Sequence, residues 1–405
     1  MSKEKLVAER DSDVAAAGHI CLDIIPKFPG SGGKRIEELF KPGKLVNVEE
    51  AAISTGGPVS NTGLALHRLG ARVEFMGKVG DDDFGRIVLE KLSDHAAAEG
   101  MRIARGENTS YTIVVAPPGI DRVFLHNPGA NNTFGYEDIN FDIVGKAKIF
   151  HLGYPPLMRR LYENDGDQLA RIYKKARELG VVTSLDVSLP DPDSPSGKVD
   201  WRTVLEKVLP YVDIFFPSAE EMLYMLEKEE FLRKLKSAEG KDLLSRFEGE
   251  DLTRLSGKML GLGARIAGIK CGYRGFYVRT AVREELSLIC SGGFPDLDNW
   301  AGRELWEPSY HVSEIASATG SGDSAIAGFL AAYLKGKTIE MSLKYACTVG
   351  AQNVRVLDAV SGICSWEETT RQVEENRGKN ELSVRTPGWR FDEEGKVWIG
   401  PHDRS

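Results

Sequence analysis

Ser324 to Leu334 is an eleven-residue run without charge or proline, and it follows directly on Thr319-Gly320-Ser321-Gly322-Asp323. A helix built from Ser324-Ala325-Ile326-Ala327-Gly328-Phe329-Leu330-Ala331-Ala332-Tyr333-Leu334 is apolar on nearly every side, so it has to lie inside the molecule. Its N-terminus is then internal too. The N–H groups of a first turn lack intrahelical acceptors and attract anions, phosphate above all. Gly320 and Gly322 let a ligand come close to the backbone.

A carboxylate at that position, Asp323, would repel the phosphate that the amides attract. The arrangement makes sense if Asp323 takes a proton from a hydroxyl while the amides hold the phosphoryl group that the hydroxyl attacks. The pattern is not specific by itself. Gly320-Ser321-Gly322-Asp323-Ser324-Ala325 also satisfies G-x-G-x-x-G/A, which needs a buried strand before it. Ser313 to Ala318 makes a poor strand of that kind.

A second segment bears on the choice. Gly56-Gly57-Pro58-Val59-Ser60-Asn61-Thr62-Gly63-Leu64-Ala65-Leu66-His67-Arg68-Leu69-Gly70 reads as a glycine turn, a helix and a glycine stop. Val73 to Gly80 then reads as a strand, and Asp81 to Gly85 as a turn into the next helix. Asn61 sits in the first turn of an otherwise apolar helix, either as a local cap or as an amide offered to a hydroxylated ligand.

These two segments together resemble the PfkB, or ribokinase-like, family of carbohydrate kinases, and the resemblance runs from about Val14 to Ile363. The family pattern near the end is usually Gly-Ala-Gly-Asp; here it is Gly320-Ser321-Gly322-Asp323. The resemblance implies an α/β fold of ribokinase-like type, with a mostly parallel central sheet, helices on both faces and a small β-sheet lid. It also implies ATP-dependent phosphorylation of a sugar or polyol hydroxyl, with Mg²⁺ as cofactor. A nucleoside, an inositol or another hydroxylated molecule as acceptor, and a non-catalytic sugar sensor, remain open beside it.

Carried onto this chain, the resemblance makes Asp323 the general base and Gly320, Ser321 and Gly322 its anion hole. Asp23, Gly56, Gly57 and Asn61 would bind the acceptor, since a carboxylate can accept hydrogen bonds from paired hydroxyls. His19 and His151 are assigned nothing. Lys270, Gly272 and Gly275 match the nucleotide loop, and Thr319, Ala346 and Asn353 would complete the nucleotide pocket. Ser218 stands where the family usually has asparagine, in Pro217-Ser218-Ala219-Glu220-Glu221. Glu221 would act on hydrated magnesium through water, or simply close a capping box with Ser218. Many relatives hold a monovalent cation with an aspartate just before the glycine motif; Ser317 occupies that place, which argues against a potassium requirement.

Composition agrees. The chain has 405 residues, 41% hydrophobic and 28% charged, as expected of a soluble globular protein. Its 43 glycines, above the usual ~7%, fit many tight loops. A net charge of −8 without a basic block gives no reason to expect nucleic acid. No apolar run approaches the ~20 residues of a membrane helix, and the first residues lack a signal-peptide core. Five cysteines without C-x-x-C spacing argue for reduced thiols, and the expectation is a cytoplasmic protein.

Strand and helix patterns alternate along the chain, as a parallel sheet covered on both faces requires. Two stretches interrupt them. Residues from about 23 to 55 and 109 to 133 carry short β-like pieces, among them Lys44 to Val48 and a hairpin from Thr109 to Leu125. They are expected to form the lid, through which two copies of the chain could pair. The kinase domain is expected over 1–363, with an insertion at 283–310 and a C-terminal extension over 364–405, packed on the domain or on a partner subunit. Gly388 to Ile399 reads as a terminal hairpin.

Overall fold

The computed structural model describes residues 10–30, 41–94, 98–117, 123–239, 242–289, 296–375 and 378–404. The chain enters through β1 (Ser12–Gly18), β2 (Cys21–Pro26) and β3 (Ala51–Gly56), then β4 (Val73–Met76), β5 (Lys78–Gly80) and β6 (Arg102–Ala104). A hairpin of β7 (Tyr111–Val115) and β8 (Val123–Asn127) precedes β9 (Ala147–Gly153), β10 (Val182–Asp186), β11 (Ile214–Phe215) and β12 (Ile266–Lys270). The last strands are β13 (Phe276–Thr280), β14 (Glu304–Glu307), β15 (Arg390–Asp392) and β16 (Val397–Ile399).

Ten of these strands form one mixed sheet in the order β15-β16-β14-β13-β12-β11-β10-β9-β1-β4. From β4 to β12 every neighbour is parallel; from β12 to β15 every neighbour is antiparallel. The sheet is covered on both faces. Successive side chains of β1 point to opposite sides, so Ala15 and Ala17 join one core with Phe150, Tyr173 and Trp201. Val14 and Ala16 join the other with Phe75, Phe216 and Phe329. The helix Ser321–Leu334 lies in this second core and is buried from Asp323 to Tyr333, as its uncharged sequence requires.

β3, β2, β7 and β8 make a separate four-stranded sheet, and β5 pairs with β6. The region expected as a lid is therefore a sheet of its own, built from both interrupting segments. Its first outer strand begins at Ala51, however, and Lys44 to Val48 forms none. The strand read from Val73 to Gly80 is in fact two. It breaks at Gly77, where a Cβ would come within 2.9 Å of Ile20 and 3.2 Å of Met101, so the chain steps from the main sheet to a pairing with β6.

The 283–310 stretch, expected as an insertion, supplies β14, with Trp300 and Trp306 fully buried; its residues 290–295 lie outside the described part. The stretch after 363 adds β15 and β16 to the edge of the same sheet. Trp389 packs there against Trp306, ring centroids 6.0 Å apart, and Arg303 bonds Asp403 at 2.8 Å and Glu340 at 2.6 Å.

Candidate active site

The carboxyl ends of the parallel strands carry the site, where ligands of open α/β sheets bind. β1, β9 and β10 end level with one another: Gly18 pairs with Gly153, and Gly153 with Asp186. Beyond them the chain delivers His19 to Asp23, Tyr154 and Asp186 itself. Ser218 and Glu221 follow β11, and Lys270 closes β12. Asp323 arrives from the other direction, on the first turn of the buried helix, whose cap Gly320 has φ 74°. A Cβ at Gly320 would stand 2.5 Å from that of Ala359, so both conformation and space demand glycine.

Asp323 is 1% exposed and held by three donors. Asn61 Nδ2 donates to its Oδ2 at 3.0 Å, Tyr154 donates its hydroxyl to the same oxygen at 2.9 Å, and Thr62 reaches Oδ1 at 3.4 Å. Oδ1 is thus the less occupied oxygen. Burial pushes the Asp323 carboxyl up, against the pull of Asn61, Lys270, Tyr154 and Thr62. In the first turn, Ser321 N bonds Ala318 O at 3.3 Å and Ser324 N bonds Gly320 O at 2.9 Å. The first-turn amides of Gly322 and Asp323 lie between these two.

Asp323 opens into a cleft of about 1600 Å³ whose wall includes Asp23, Gly57, Asn61, Thr319 and Gly320. Asp23, on β2, takes a hydrogen bond from Cys21 Sγ at 3.3 Å, and burial pushes its carboxyl up to about 6. Gly56 lies beneath it, where a Cβ would run into the Asp23 carboxylate. Gly57, at φ 84°, leaves room for His19, whose Nδ1 a Cβ would approach to 2.6 Å. Asn61 keeps its own Oδ1 without a hydrogen-bond partner.

Behind Asp323 lies a buried charge cluster. Lys270 Nζ meets Asp186 Oδ1 at 2.5 Å and Glu221 Oε2 at 3.7 Å. Burial alone would press the ammonium down, but Asp186 and Glu221 more than reverse it, and Lys270 stays charged. Burial pushes Asp186 up while Lys270 pulls it back, and among the described residues Asp186 Oδ2 has no hydrogen-bond partner. Ser218 and Glu221 do form a capping box: Glu221 Oε2 accepts from Ser218 N at 2.6 Å, and Ser218 Oγ from Glu221 N at 3.1 Å. The Glu221 carboxylate also faces Lys270, at 3.7 Å.

The other residues assigned to the nucleotide stand further off. Gly272 and Gly275 shape the turn between β12 and β13, at φ 50° and 101°. Ala346 is fully buried on the helix Ile339–Asn353, and Asn353 Nδ2 donates to Ala359 O at 2.7 Å. None of these four is on the wall of the cleft around Asp323. Gly322 is close to Lys270, since a Cβ there would lie 3.2 Å from Lys270 Cδ.

Sequence reasoning missed several groups. Tyr154 holds a left-handed conformation, φ 64° and ψ 44°, uncommon for a bulky residue, and nothing in His151-Leu152-Gly153-Tyr154 announces it. Thr62 and Asp186 passed as ordinary helix and strand-end residues. His19, to which no role was assigned, has its ring on the cleft wall; His151 is a core residue bonded to Ser184 at 2.9 Å. Among the described residues no three His, Cys, Asp or Glu side chains cluster as metal ligands, and no helix is long and apolar enough to cross a membrane.

Comparison with known proteins adds to this geometry. The chain is 24% identical over 378 residues to fructokinase-1 of Oryza sativa subsp. japonica, covering 91% of this chain and 99% of the rice protein. It is 31% identical over 220 residues to the Arabidopsis thaliana protein named probable fructokinase-6, chloroplastic. It spans only about half of that relative's length: 53% of it and 54% of this chain are covered. Among solved structures, A. thaliana ribokinase complexed with ribose and ATP matches with a TM-score of 0.64 at 17% identity, covering 90% of this chain and 99% of that one. A putative ribokinase II from E. coli, in complex with ATP and Mg²⁺, matches with a TM-score of 0.64 at 21% identity and the same coverage. At such identities the likeness speaks for the fold, which is ribokinase-like. The model of the pfkB family carbohydrate kinases matches residues 12–364, and the chain belongs to that family.

Proposed function

We propose that this protein transfers the γ-phosphoryl group of ATP to a hydroxyl of a sugar or polyol, with Asp323 as general base. One observation carries the reading: a buried carboxylate stands in the first turn of a helix and opens into a cleft walled by Asp23 and Asn61. In this reading the acceptor hydroxyl gives its proton to Oδ1 of Asp323, the oxygen with only the long Thr62 contact. Asn61 and Tyr154 fix the carboxylate through Oδ2. The amides of Gly322 and Asp323, in the turn opened by Gly320 and Ser321, hold charge on the transferring group. Asp23 and Asn61 Oδ1 orient the acceptor.

Lys270 and Thr319 are the nearest of the expected nucleotide residues to Asp323, and Gly272, Gly275, Ala346 and Asn353 would bound the more distant parts of the nucleotide. Asp186 and Glu221 fit hydrated Mg²⁺, because Asp186 Oδ2 is a buried acceptor without a donor that a metal-bound water would satisfy. When bound, the metal neutralises polyphosphate charge. With Ser317 in place of an acid, no potassium requirement is expected. The lid leaves Phe124 and Leu125 about half exposed, at 51% and 53%, a surface on which two copies can pair.

The test is ATP consumption, with the phosphorylated product identified, across pentoses, hexoses, polyols, inositols and nucleosides. Transfer to one narrow class supports the reading. Tight sugar binding without ATP turnover under any cation condition favours a sensor instead.

A further inference from the structure

The cleft beside Asp323 has a marked imbalance of charge. Among the described residues its wall carries the carboxylates of Asp23, Glu163, Asp165, Asp191, Asp200 and Asp323, against the cations Arg159 and Lys198. Arg159 is already matched by Glu163 at 2.5 Å. At the inner end, where an acceptor hydroxyl must lie, the described residues of the wall offer carboxylates, amides, hydroxyls and two histidines, and none of them is a lysine or arginine. Lys270 stands behind Asp323, committed to Asp186 and Glu221.

His19 adds a second, independent observation. It is 2% exposed, it is one of the residues that line the cleft, and among the described residues neither of its buried ring nitrogens has a hydrogen-bond partner. Its neighbours are the Gly57 turn, the ring of His126 with centroids 5.3 Å apart, and the ring of Tyr154 at 6.3 Å. His126 comes from the lid and is bonded through Nδ1 to Thr112 at 3.0 Å. Burial, with His126 beside it, holds His19 neutral. A neutral imidazole offers one donor and one acceptor, the complement of a hydroxyl, and no charge to balance a carboxylate or phosphate.

We propose that the cleft takes an uncharged polyhydroxy acceptor and turns away carboxylated and phosphorylated sugars, with His19 as a specificity-determining residue that hydrogen-bonds an acceptor hydroxyl. This rests on the phosphoryl-transfer reading. An anionic acceptor would enter a field of its own sign and meet no compensating cation among the described residues of the inner end, whereas MgATP would be received by the helix N-terminus. An uncharged acceptor satisfies the orphaned nitrogens of His19 at no electrostatic cost.

The experiment uses the full chain at saturating MgATP with matched acceptors: hexoses and pentoses, the corresponding aldonates, and the corresponding sugar phosphates. The expected result is a kcat/KM at least ~10²-fold higher for the best uncharged acceptor than for its charged counterparts at low ionic strength. That gap should narrow with added salt. His19→Phe should lower kcat/KM for the acceptor by ~10-fold or more with the ATP KM unchanged, and His19→Gln, which can still donate and accept, should restore part of the loss. Thermal unfolding of both variants checks that they fold. An aldonate or sugar phosphate used as well as its uncharged counterpart overturns the proposal and leaves phosphoryl transfer standing. A folded His19→Phe protein with unchanged acceptor kcat/KM removes His19 from it. No phosphorylation of any acceptor overturns the kinase reading, and this inference with it.

Discussion

Tyr154 donates its hydroxyl to Oδ2 of Asp323 at 2.9 Å from a left-handed backbone conformation that closes the end of β9. The residue is half-buried, its hydroxyl is held by Asp323, and its amide bonds Asp186 O at 3.1 Å, so ring and backbone are both fixed. Strain of this kind, of order 1–3 kcal/mol, persists only where the surroundings impose it. Here it aims a donor at Oδ2 of the proposed base, while Oδ1 keeps only the long Thr62 contact.

Tyr154→Phe should therefore lower kcat by roughly 10-fold while the acceptor KM changes little. The hydroxyl stabilises the ionised form of Asp323, so its loss raises that carboxyl further. The acid limb of kcat must then move to higher pH. A pH–rate profile of the variant that overlays the wild type would show that Tyr154 is only a packing residue.

Asp323→Asn should reduce turnover by 10²–10⁴-fold, roughly 3–5 kcal/mol of barrier, and leave ATP binding near normal. Stopped turnover with retained nucleotide affinity, measured by calorimetry, is the expected pair of results. Wild-type turnover would end the general-base assignment.

How far could this have been read without coordinates? The helix Ser321–Leu334, its buried setting and Asp323 follow from an uncharged run behind two glycines, and so does the glycine turn before Asn61. Those features are local. Tyr154 reaches Asp323 across 169 positions of sequence, and Lys270 reaches Asp186 across 84. Neither contact leaves a periodicity or a turn signature. The break at Gly77 was hidden for a similar reason, because a continuous apolar pattern does not reveal which sheet each half joins. Ser218 looked like a lost ligand, yet its capping box serves the helix without removing Glu221 from Lys270.

Asp23 should show a conflict between stability and binding. Its carboxyl is raised from the ordinary 3.8 to about 6 by burial, so the folded state binds its proton more tightly than the unfolded chain does. Stability from this group is therefore greatest below about pH 4 and is lost as pH rises through 6. At pH 7 Asp23→Asn should stabilise the free protein by up to ~3 kcal/mol, read from denaturant unfolding. The same change should cost acceptor kcat/KM on the order of 10²-fold and remove its fall below pH 6. An unchanged or lowered stability in Asp23→Asn would contradict the burial argument.

Asp403→Ala should destabilise the protein by about 2–4 kcal/mol although Asp403 is not on the wall of the cleft. The substitution leaves Arg303, 4% exposed, with only Glu340 and the Asn299 carbonyl as partners. The loss should appear in the unfolding midpoint with kcat intact. A neutral effect would mean that β15 and β16 are an appendage on the sheet rather than part of its cooperative unit.

The chain passes between the four-stranded sheet and the rest of the fold four times; in two of these passages His19 and Ile20 lead from β1 into β2, and Gly56 and Gly57 lead from β3 back to the helix carrying Asn61. His19 and Gly57, one from each of these two passages, line the cleft, so part of the connection between the two sheets is also part of the proposed acceptor end. A substitution that retunes one retunes the other. In an evolving lineage the inner end of this cleft would be hard to alter step by step. New acceptor preferences would come more readily from the stretches Arg159 to Asp165 and Asp191 to Asp200, where the wall can vary without disturbing a connection between the two sheets.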